Sequence, residues 1–107
     1  MLARQYRLPN ERAVKRLYAK GRRFVAPTVF VFTVPNQARH PRAAVICGRK
    51  VSAKAVVRNR LKRVARSYLE ERVRAGALPM ADYLVVIRPA AQNHEAVLLA
   101  DLARMVK

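Results

Sequence analysis

The sequence is poor in the residues that build metal sites and disulfide bonds. It contains one cysteine, Cys47, and two histidines, His40 and His94, which stand alone without the spacing of metal ligands. A single cysteine cannot form an internal disulfide bond, so a disulfide-stabilised scaffold is excluded. We therefore expect a small intracellular protein, located in the cytoplasm, that binds no metal through its own side chains.

Acidic residues are equally scarce. The six Asp and Glu residues stand at positions 11, 70, 71, 82, 95 and 101, against 23 Lys and Arg, which gives a formal net charge of +17. These acids show neither a paired-carboxylate spacing nor a metal-binding cluster, and the three glycines are too isolated for a phosphate loop. No Ser-His-Asp or Cys-His grouping is visible either. These absences predict a binding protein without catalytic residues of its own.

Long hydrophobic runs are absent as well. None approaches the ~20 apolar residues that span a bilayer, and the first residues lack the apolar core of a signal peptide. We expect no membrane partner. The 107 residues suit a single domain over 1–107, in which residues 1–9 form a loosely held, flexible basic arm.

What the sequence has in excess is positive charge. Self-repulsion on this scale is relieved when phosphates neutralise the cations, so the predicted partner is a polyanion. Arginine outnumbers lysine 17 to 6, and a guanidinium group offers a planar fork that fits phosphate oxygens and stacks on bases. A genome that favours arginine codons is the alternative explanation of that ratio, but not of the net charge.

The first half of the chain predicts a helix followed by strands. An amphipathic helix is expected over residues 11–20, with Asn10 as its N-cap and Gly21 as its C-terminal stop. β-Branched and aromatic residues then predict a short strand and a hairpin of two longer strands. The three strands span residues 23–25, 28–34 and 43–48.

The second half predicts a long helix, a strand and a last helix. The long helix runs without Gly or Pro over residues 53–75, capped by Ser52 and ended by Gly76. A nearly continuous apolar strand follows at 83–88, and Asn93 caps the last helix. A strand, helix, strand succession predicts a parallel pair joined by a crossover, and hence a sheet with helices packed on it.

The long helix has a core face and a nearly pure cationic face. At 100° per residue, its polar donors occupy an arc of about 140° that is separate from the apolar residues. These donors are Arg58, Asn59, Lys62, Arg63 and Arg66. Donors one turn apart are spaced by ~6 Å along the axis, which is close to the spacing of phosphates in an RNA strand. The alternative is a solvated basic face, with Glu70 and Glu71 as partners within the helix.

Aromatic residues form a second candidate site. Tyr18 on the first helix, with Phe30 and Phe32 on a strand, could line a cleft where unstacked bases of a single strand rest on aromatic faces. A basic rim is expected beside it, formed by Arg12, Arg16, Arg49, Lys50 and Arg88. The alternative is that these phenylalanines belong to the core.

Residues 58–66, Arg-Asn-Arg-Leu-Lys-Arg-Val-Ala-Arg, resemble the signature of the protein subunit of bacterial ribonuclease P. The likeness covers roughly residues 7–106, because other segments also lie at spacings similar to those of the family. These segments are the helix ending in Gly21, the strand around Phe30 and Phe32, His40-Pro41-Arg42, and Leu78-Pro79 before Asp82-Tyr83.

The resemblance implies a fold. Members of the family form an α/β (α+β) two-layer sandwich, in which a small mixed four-stranded sheet packs with three helices. It is similar to the second domain of a small-subunit ribosomal protein. The resemblance also implies a left-handed β-α-β crossover, against the right-handed rule that otherwise applies to such units.

The resemblance also implies a function. The catalyst of ribonuclease P is a large RNA subunit, which cuts precursor tRNA to release the 5′ leader with magnesium held mainly by RNA. The protein subunit, one per RNA, binds the RNA subunit and the leader and binds no cofactor alone. This chain is therefore expected to be the non-catalytic subunit of an endoribonuclease that matures tRNA 5′ ends.

Particular residues are expected to carry these roles. The RNA-binding residues are Lys50, Lys54, Arg58, Asn59, Arg60, Lys62, Arg63 and Arg66, of which the last six match the helix motif. The leader cleft would hold Arg12, Tyr18, Phe30, Phe32, Arg49 and Arg88. The chain departs from the family pattern at Val14, where many relatives carry Phe, and at Arg49-Lys50, where a pair of lysines is commoner.

Three other functions compete with this hypothesis. A ribosomal or other structural RNA-binding protein would share the basic surfaces without any part in cleavage. A DNA-binding module is disfavoured because no compact helix-turn-helix precedes the basic helix. A self-sufficient nuclease is disfavoured by the missing acid cluster.

Overall fold

Three helices pack against one four-stranded mixed sheet, as the sequence predicts for the fold class. The computed structural model describes residues 4–36 and 40–105. The helices are α1 (Glu11–Lys20), α2 (Ala55–Arg74) and α3 (Glu95–Met105). The strands are β1 (Arg22–Val25), β2 (Val29–Pro35), β3 (Arg42–Cys47) and β4 (Ala81–Ile87), with short 3-10 turns at Arg4–Tyr6 and Pro89–Ala91. Within the described residues, no helix is long and apolar enough to cross a membrane.

The strands lie in the order β1-β2-β4-β3. The predicted hairpin of the two longer strands is therefore wrong, because β2 pairs antiparallel with β1 and β4, whereas β3 pairs in parallel with β4. The near-continuous apolar strand β4 takes a central position in which both of its faces are covered, and Leu84 and Val85 are fully buried. Helix α2 is the expected crossover between the parallel strands β3 and β4. The left-handedness of that crossover stays a prediction.

The two faces of the sheet are covered to different extents. Helices α2 and α3 pack on the face that carries Val31 and Val85 and bury most of the hydrophobic core there. On the opposite face α1 inserts Leu17 against Phe32 and Leu84. Because α1 has only ten residues, it covers only part of that face. The uncovered part of this face forms a cleft.

Helix α1 begins and ends at the predicted residues. The Asn10 side chain accepts a hydrogen bond from the Ala13 backbone N–H at 3.0 Å, as an N-cap does. Gly21 ends the helix with extended backbone (φ −71°, ψ 147°) rather than in the left-handed conformation typical of such stops. A Cβ atom there would lie 2.4 Å from the carbonyl oxygen of Leu17. The close approach of the backbone therefore requires glycine at this position.

The starts of α2 and α3 differ from the predicted caps. Helix α2 begins at Ala55, and Ser52 lies before it, where its Oγ accepts a hydrogen bond from the Lys54 backbone N–H at 3.2 Å. Before α3, Asn93 adopts a left-handed conformation with φ 63°, and Leu98 N–H donates to the His94 carbonyl. Asn93 therefore turns the chain, and His94 holds the capping position. Asparagine is one of the few residues that tolerate this backbone region.

Part of the predicted N-terminal arm contacts the sheet. Arg7 forms a parallel bridge with Ala43 of the edge strand β3, and Leu8 N–H donates to the Ala43 carbonyl at 3.0 Å. Tyr6 packs against the core and meets the His40 ring edge-on at 5.5 Å. The flexibility of the arm stays a prediction, and residues 1–3 lie outside the described part of the chain.

A buried polar link that the sequence analysis missed ties α3 to the start of β2. The Thr28 hydroxyl donates to Asp101 Oδ2 at 2.6 Å, the Thr28 backbone N–H donates to the same oxygen at 3.2 Å, and Arg104 binds Oδ1 at 2.6 Å. Thr28 and Asp101 are almost fully buried. The hydrogen bond from the Thr28 side chain outweighs desolvation and lowers the pKa of Asp101 below its ordinary value.

Replacing Thr28 with Val should destabilise the protein by about 1–3 kcal/mol at neutral pH, because a buried carboxylate loses a donor. The depressed pKa makes this contribution complete above the ordinary value of 3.8 and lost as the pH falls through the lower, folded-state pKa. Urea unfolding of both proteins at pH 7 and near pH 3 measures the effect. A stability difference that stays constant or grows on acidification would contradict this account.

Candidate nucleic-acid interface

The polar donors of α2 form a row along its solvent side. Leu61, Ala65 and Leu69 bury the opposite side of the helix. Asn59 and Arg63 are exposed and Lys62 and Arg66 are partly exposed, as predicted. These four residues are called the cationic row below. No described carboxylate forms an ion pair with Lys62, Arg63 or Arg66, so their charges are available to an anionic partner.

Two arginines of the same helix are placed differently. Arg58 Nη1 donates to the carbonyls of Ser52 and Ala53, both at 3.0 Å, and thereby holds the loop before the helix. Arg60 Nε binds Glu95 Oε1 of α3 at 2.6 Å. The ion pair draws Arg60 toward α3 and away from the cationic row. These two predicted RNA-binding residues therefore have structural partners within the protein.

The cationic row borders the C-terminal end of β3. Cys47, the last residue of that strand, is partly buried, and burial raises the pKa of its thiol. The nearby positive charges of Lys62 and Arg58 act in the opposite direction and lower the pKa, but by less than burial raises it. These charges therefore lie beside an edge strand of the sheet. The next residue back along the strand, Ile46, faces the opposite side of the sheet and lines the cleft.

The cleft is the part of the sheet that α1 leaves uncovered. Its floor is a row of four apolar side chains in register across the strands, here called the open row. The open row consists of Val25, Phe30, Val86 and Ile46. Of these, Val25 is 55% exposed and the other three are partly exposed. The adjacent row, Arg23, Phe32, Leu84 and Ala44, lies closer to α1.

The predicted aromatic residues come together in the cleft, but they are not equivalent. Tyr18 lies 5.0 Å from Phe32 between ring centroids, at an interplanar angle of 59°. Phe32 is 9% exposed and Tyr18 is 50% exposed, so Tyr18 presents the accessible aromatic surface of this pair. The guanidinium carbon of Arg88 lies 4.4 Å from the centroid of Phe30, and that of Arg23 lies 5.7 Å from it. Each distance is in the range of a cation–π contact.

Arg23 is a cleft residue that the sequence analysis missed. It lies on β1, whose pairing with β2 places it on the same face as Val25 and Phe30. Residues two apart along a strand share a face, so the alternation of β1 would have indicated Arg23 once its pairing was known. The sequence predicts a strand that begins at Arg23, but it predicts a hairpin of β2 with β3, whereas β2 pairs with β1 and β4.

The predicted rim residues other than Arg16, which is exposed in the middle of α1, lie at the ends of elements. Arg88 follows β4, and its Nη1 donates to the Ala26 carbonyl at 2.8 Å. Arg49 and Lys50 are exposed in the turn after β3, and Lys54 is exposed just before α2. Arg12 is exposed in the first turn of α1.

Four carboxylates of the described residues, Glu70, Asp82, Glu95 and Asp101, are bound by arginines. Asp82 receives two hydrogen bonds from Arg42, at 2.8 and 2.9 Å, and one from Asn36 at 2.8 Å. Glu70 binds Arg74 at 2.7 Å. The described residues contain no group of three His, Cys, Asp or Glu side chains that could hold a metal ion. These four acids therefore act as structural partners of arginines.

The arrangement of sheet, basic helix and cleft belongs to a known family. The ribonuclease P family model matches residues 2–107, nearly the whole chain. The chain belongs to the ribonuclease P protein family. As a ribonuclease P protein component it takes part in tRNA processing, within an endoribonuclease that has an RNA subunit.

Relatives of known sequence support the family assignment. The ribonuclease P protein component of Lactobacillus johnsonii is 33% identical over 95 residues, which cover 88% of this chain and 77% of the relative. That of Methylococcus capsulatus is 41% identical over 75 residues, which cover 69% of this chain and 57% of the relative.

Solved structures of other ribonuclease P proteins share the fold. A mutant of the Staphylococcus aureus protein, defective in mRNA degradation activity, gives a TM-score of 0.84 at 24% identity, covering 95% of this chain and 85% of that one. The Thermotoga maritima protein gives a TM-score of 0.81 at 22% identity, covering 94% of both chains.

This ribonuclease P protein has an aliphatic residue at one end of its cleft. Val14 packs with Leu17 and Phe32 in the cluster under α1. The family resemblance implies an aromatic residue at this position in many relatives. The side chain here fills the interface between helix and sheet, so Tyr18 is the aromatic residue of α1 that remains exposed to a ligand.

Replacing Arg58 or Arg63 with Ala should show that Arg58 stabilises the fold and that Arg63 does not. R58A should lower the free energy of unfolding by about 1–2 kcal/mol, because two carbonyls before the helix lose their donor. R63A should change it by less than about 0.5 kcal/mol, since Arg63 is exposed. Urea unfolding measures both. Equal losses of stability in the two variants would contradict the structural role of Arg58.

Proposed function

We propose that this protein binds the catalytic RNA subunit of ribonuclease P through the cationic row of α2 and holds the 5′ leader of precursor tRNA in the cleft. Removal of the leader is then carried out by the RNA subunit, and the protein strengthens substrate binding. The observation that carries this proposal is the pairing pattern of charges. Within residues 4–36 and 40–105, the ion-paired carboxylates bind Arg42, Arg60, Arg74 and Arg104, and none binds a cation of the cationic row or Arg23 or Arg88 of the cleft.

The cationic row suits the backbone of structured RNA. Its donors project from one rigid helix, so their spacing of ~6 Å per turn is maintained without a ligand. Asn59 lies among the cations and has both a donor and an acceptor, which allows it to bind a ribose hydroxyl as well as a phosphate. Neutralised phosphates would release counterions, so binding through this row should weaken as salt increases.

The cleft suits an extended single strand. Its apolar floor spans the four strands of the sheet, Tyr18 offers an aromatic face on one side, and Arg23 and Arg88 lie over Phe30 on the floor. Proteins that bind single-stranded nucleic acid combine such aromatic platforms with a positively charged groove, at ~1–3 kcal/mol for each stacked base. The leader of precursor tRNA is such a single strand, so the cleft suits the leader while the cationic row suits the structured RNA subunit.

The composition of this site supports our proposal that the RNA subunit carries out the chemistry. Phosphodiester hydrolysis usually employs metal ions held by clustered carboxylates, whereas four carboxylates of this chain are ion-paired with arginines. We therefore assign the magnesium ions to the RNA subunit and substrate, and we propose one protein for each RNA. Because this proposed function acts on precursor tRNA, we also propose that the protein is located in the cytoplasm.

Cleavage of a precursor tRNA at low magnesium tests the proposed function. The reaction is run with the RNA subunit alone, the protein alone, and both together, under single-turnover conditions. We expect efficient release of the leader only from the mixture, because the protein offsets phosphate repulsion that magnesium would otherwise screen.

Two controls make the assay specific. A precursor whose leader is shortened to one nucleotide should lose most of the stimulation, since the cleft is then empty. Cutting by the protein alone would identify a self-sufficient nuclease. If the protein stimulates cleavage at none of the magnesium concentrations tested, a structural RNA-binding protein without a part in cleavage is favoured.

A further inference from the structure

One phenylalanine of the cleft supports two arginines. The guanidinium carbons of Arg88 and Arg23 lie 4.4 and 5.7 Å from the centroid of Phe30. A cation within about 6 Å of a ring face is attracted by the ring electrons. The accessible face of Phe30 is therefore shared with side chains of the protein, which distinguishes it from an open stacking platform.

The two arginines approach Phe30 from opposite directions along the sheet. Arg23 is in register with Phe32, two residues beyond Phe30 on β2. Arg88 lies on the other side, where its backbone N–H donates to the Thr28 carbonyl just before β2, at 2.8 Å. The backbones of Arg23 and Arg88 thus lie on opposite sides of Phe30 along β2, and both guanidinium groups reach its ring.

Arg88 is fixed before any ligand binds. Its Nη1 donates to the Ala26 carbonyl at 2.8 Å, and its side chain is partly buried. This bond uses one of the five N–H donors of a guanidinium group, so the others are available to a ligand. A side chain that is already held loses less conformational freedom on binding, which favours affinity.

The positive charges of Arg23 and Arg88 beside Phe30 favour binding of an anion. Two guanidinium groups that share one ring repel each other, and a negative group between them would turn that repulsion into attraction. The carboxylate on this face of the sheet, Asp82, is bound by Arg42 and Asn36 in a different row, near the start of β4. A phosphodiester group matches the planar guanidinium fork and supplies the missing charge.

We propose that Arg23 and Arg88, supported by Phe30, form a clamp for a phosphodiester group of the leader, without regard to base identity. The inference rests on the proposed function of the cleft and divides the cleft into two parts. Tyr18 is the surface for bases, and the arginine clamp is the surface for the backbone. Phe30 positions the two arginines instead of stacking on a base.

Neutralising each arginine tests the clamp in the complete enzyme of RNA subunit and protein. R23Q and R88Q should each weaken binding of leader-bearing precursor tRNA about tenfold, as expected when a charge-assisted hydrogen bond is removed. Binding of mature tRNA, which has no leader, should be unchanged. The matched control is R22Q, because Arg22 lies on the same strand with its guanidinium carbon 5.3 Å from Phe24, on the other face of the sheet. It should stay within about twofold of the wild type.

Modified leaders distinguish backbone from base contacts. A neutral methylphosphonate at one leader position should weaken wild-type binding about tenfold and have little further effect on the double variant R23Q/R88Q. An abasic nucleotide at any leader position should weaken binding of the wild type and of the double variant equally. An abasic effect that disappears in the double variant would show a base contact and overturn the clamp.

The failure of the clamp and that of the proposed function give different results. If R23Q and R88Q bind precursor as tightly as the wild type, while the leader still adds affinity, the clamp is wrong and the leader cleft stands. If the leader adds no affinity even for the wild type, the proposed function fails. Thermal unfolding of each variant checks the fold, and R23Q decides the question if R88Q is unstable, because Arg23 is exposed.

Discussion

Repulsion among uncompensated positive charges is the constraint on which the rest of this structure depends. A net charge of +17 on 107 residues opposes a compact state, so the few carboxylates must be placed where they stabilise the fold most. Asp82 and Asp101 are buried and fully engaged by hydrogen bonds, and Glu95 joins α2 to α3 through Arg60. The unneutralised cations of the described residues include those of the cationic row and of the cleft, where a polyanion would neutralise them.

The length of the first helix determines where the second surface lies. Two longer helices complete the core on one face of the sheet, while the ten residues of α1 cover only part of the other face. The uncovered strands present a row of apolar side chains rather than polar ones. Such a surface is stable in a monomer only if it is small, and it is a common site for ligands. Because α1 leaves the open row uncovered, this part of the sheet forms the cleft.

Much of the fold could be predicted because the local signals were strong. The ends of α1 follow from Asn10 and Gly21, and the cationic row follows from helical periodicity alone. The pairing of strands could not be predicted in the same way, because β2 and β3 each have the alternation of a hairpin partner. Burial decided it, since β4 is apolar on both faces and takes a central position.

The parts of the site that escaped prediction depend on contacts between distant residues. Arg23 belongs to the cleft only because β1 pairs with β2 in one particular register. Arg58 has the helical position of an RNA contact, but carbonyls of the preceding loop engage it. The link from Thr28 to Asp101 spans 73 residues of sequence. In each case the residue type was compatible with several partners, and only the tertiary structure selects one.

The salt dependence of binding to the RNA subunit tests the central claim most directly. Affinities of the wild type and of the triple variant K62Q/R63Q/R66Q are compared over a range of monovalent salt. Removing one cation that neutralises a phosphate should flatten the plot of log affinity against log salt by about 0.7–0.9, so the account predicts a total change of about 2 to 3. An unchanged slope in a correctly folded triple variant would show that these cations do not meet the RNA backbone.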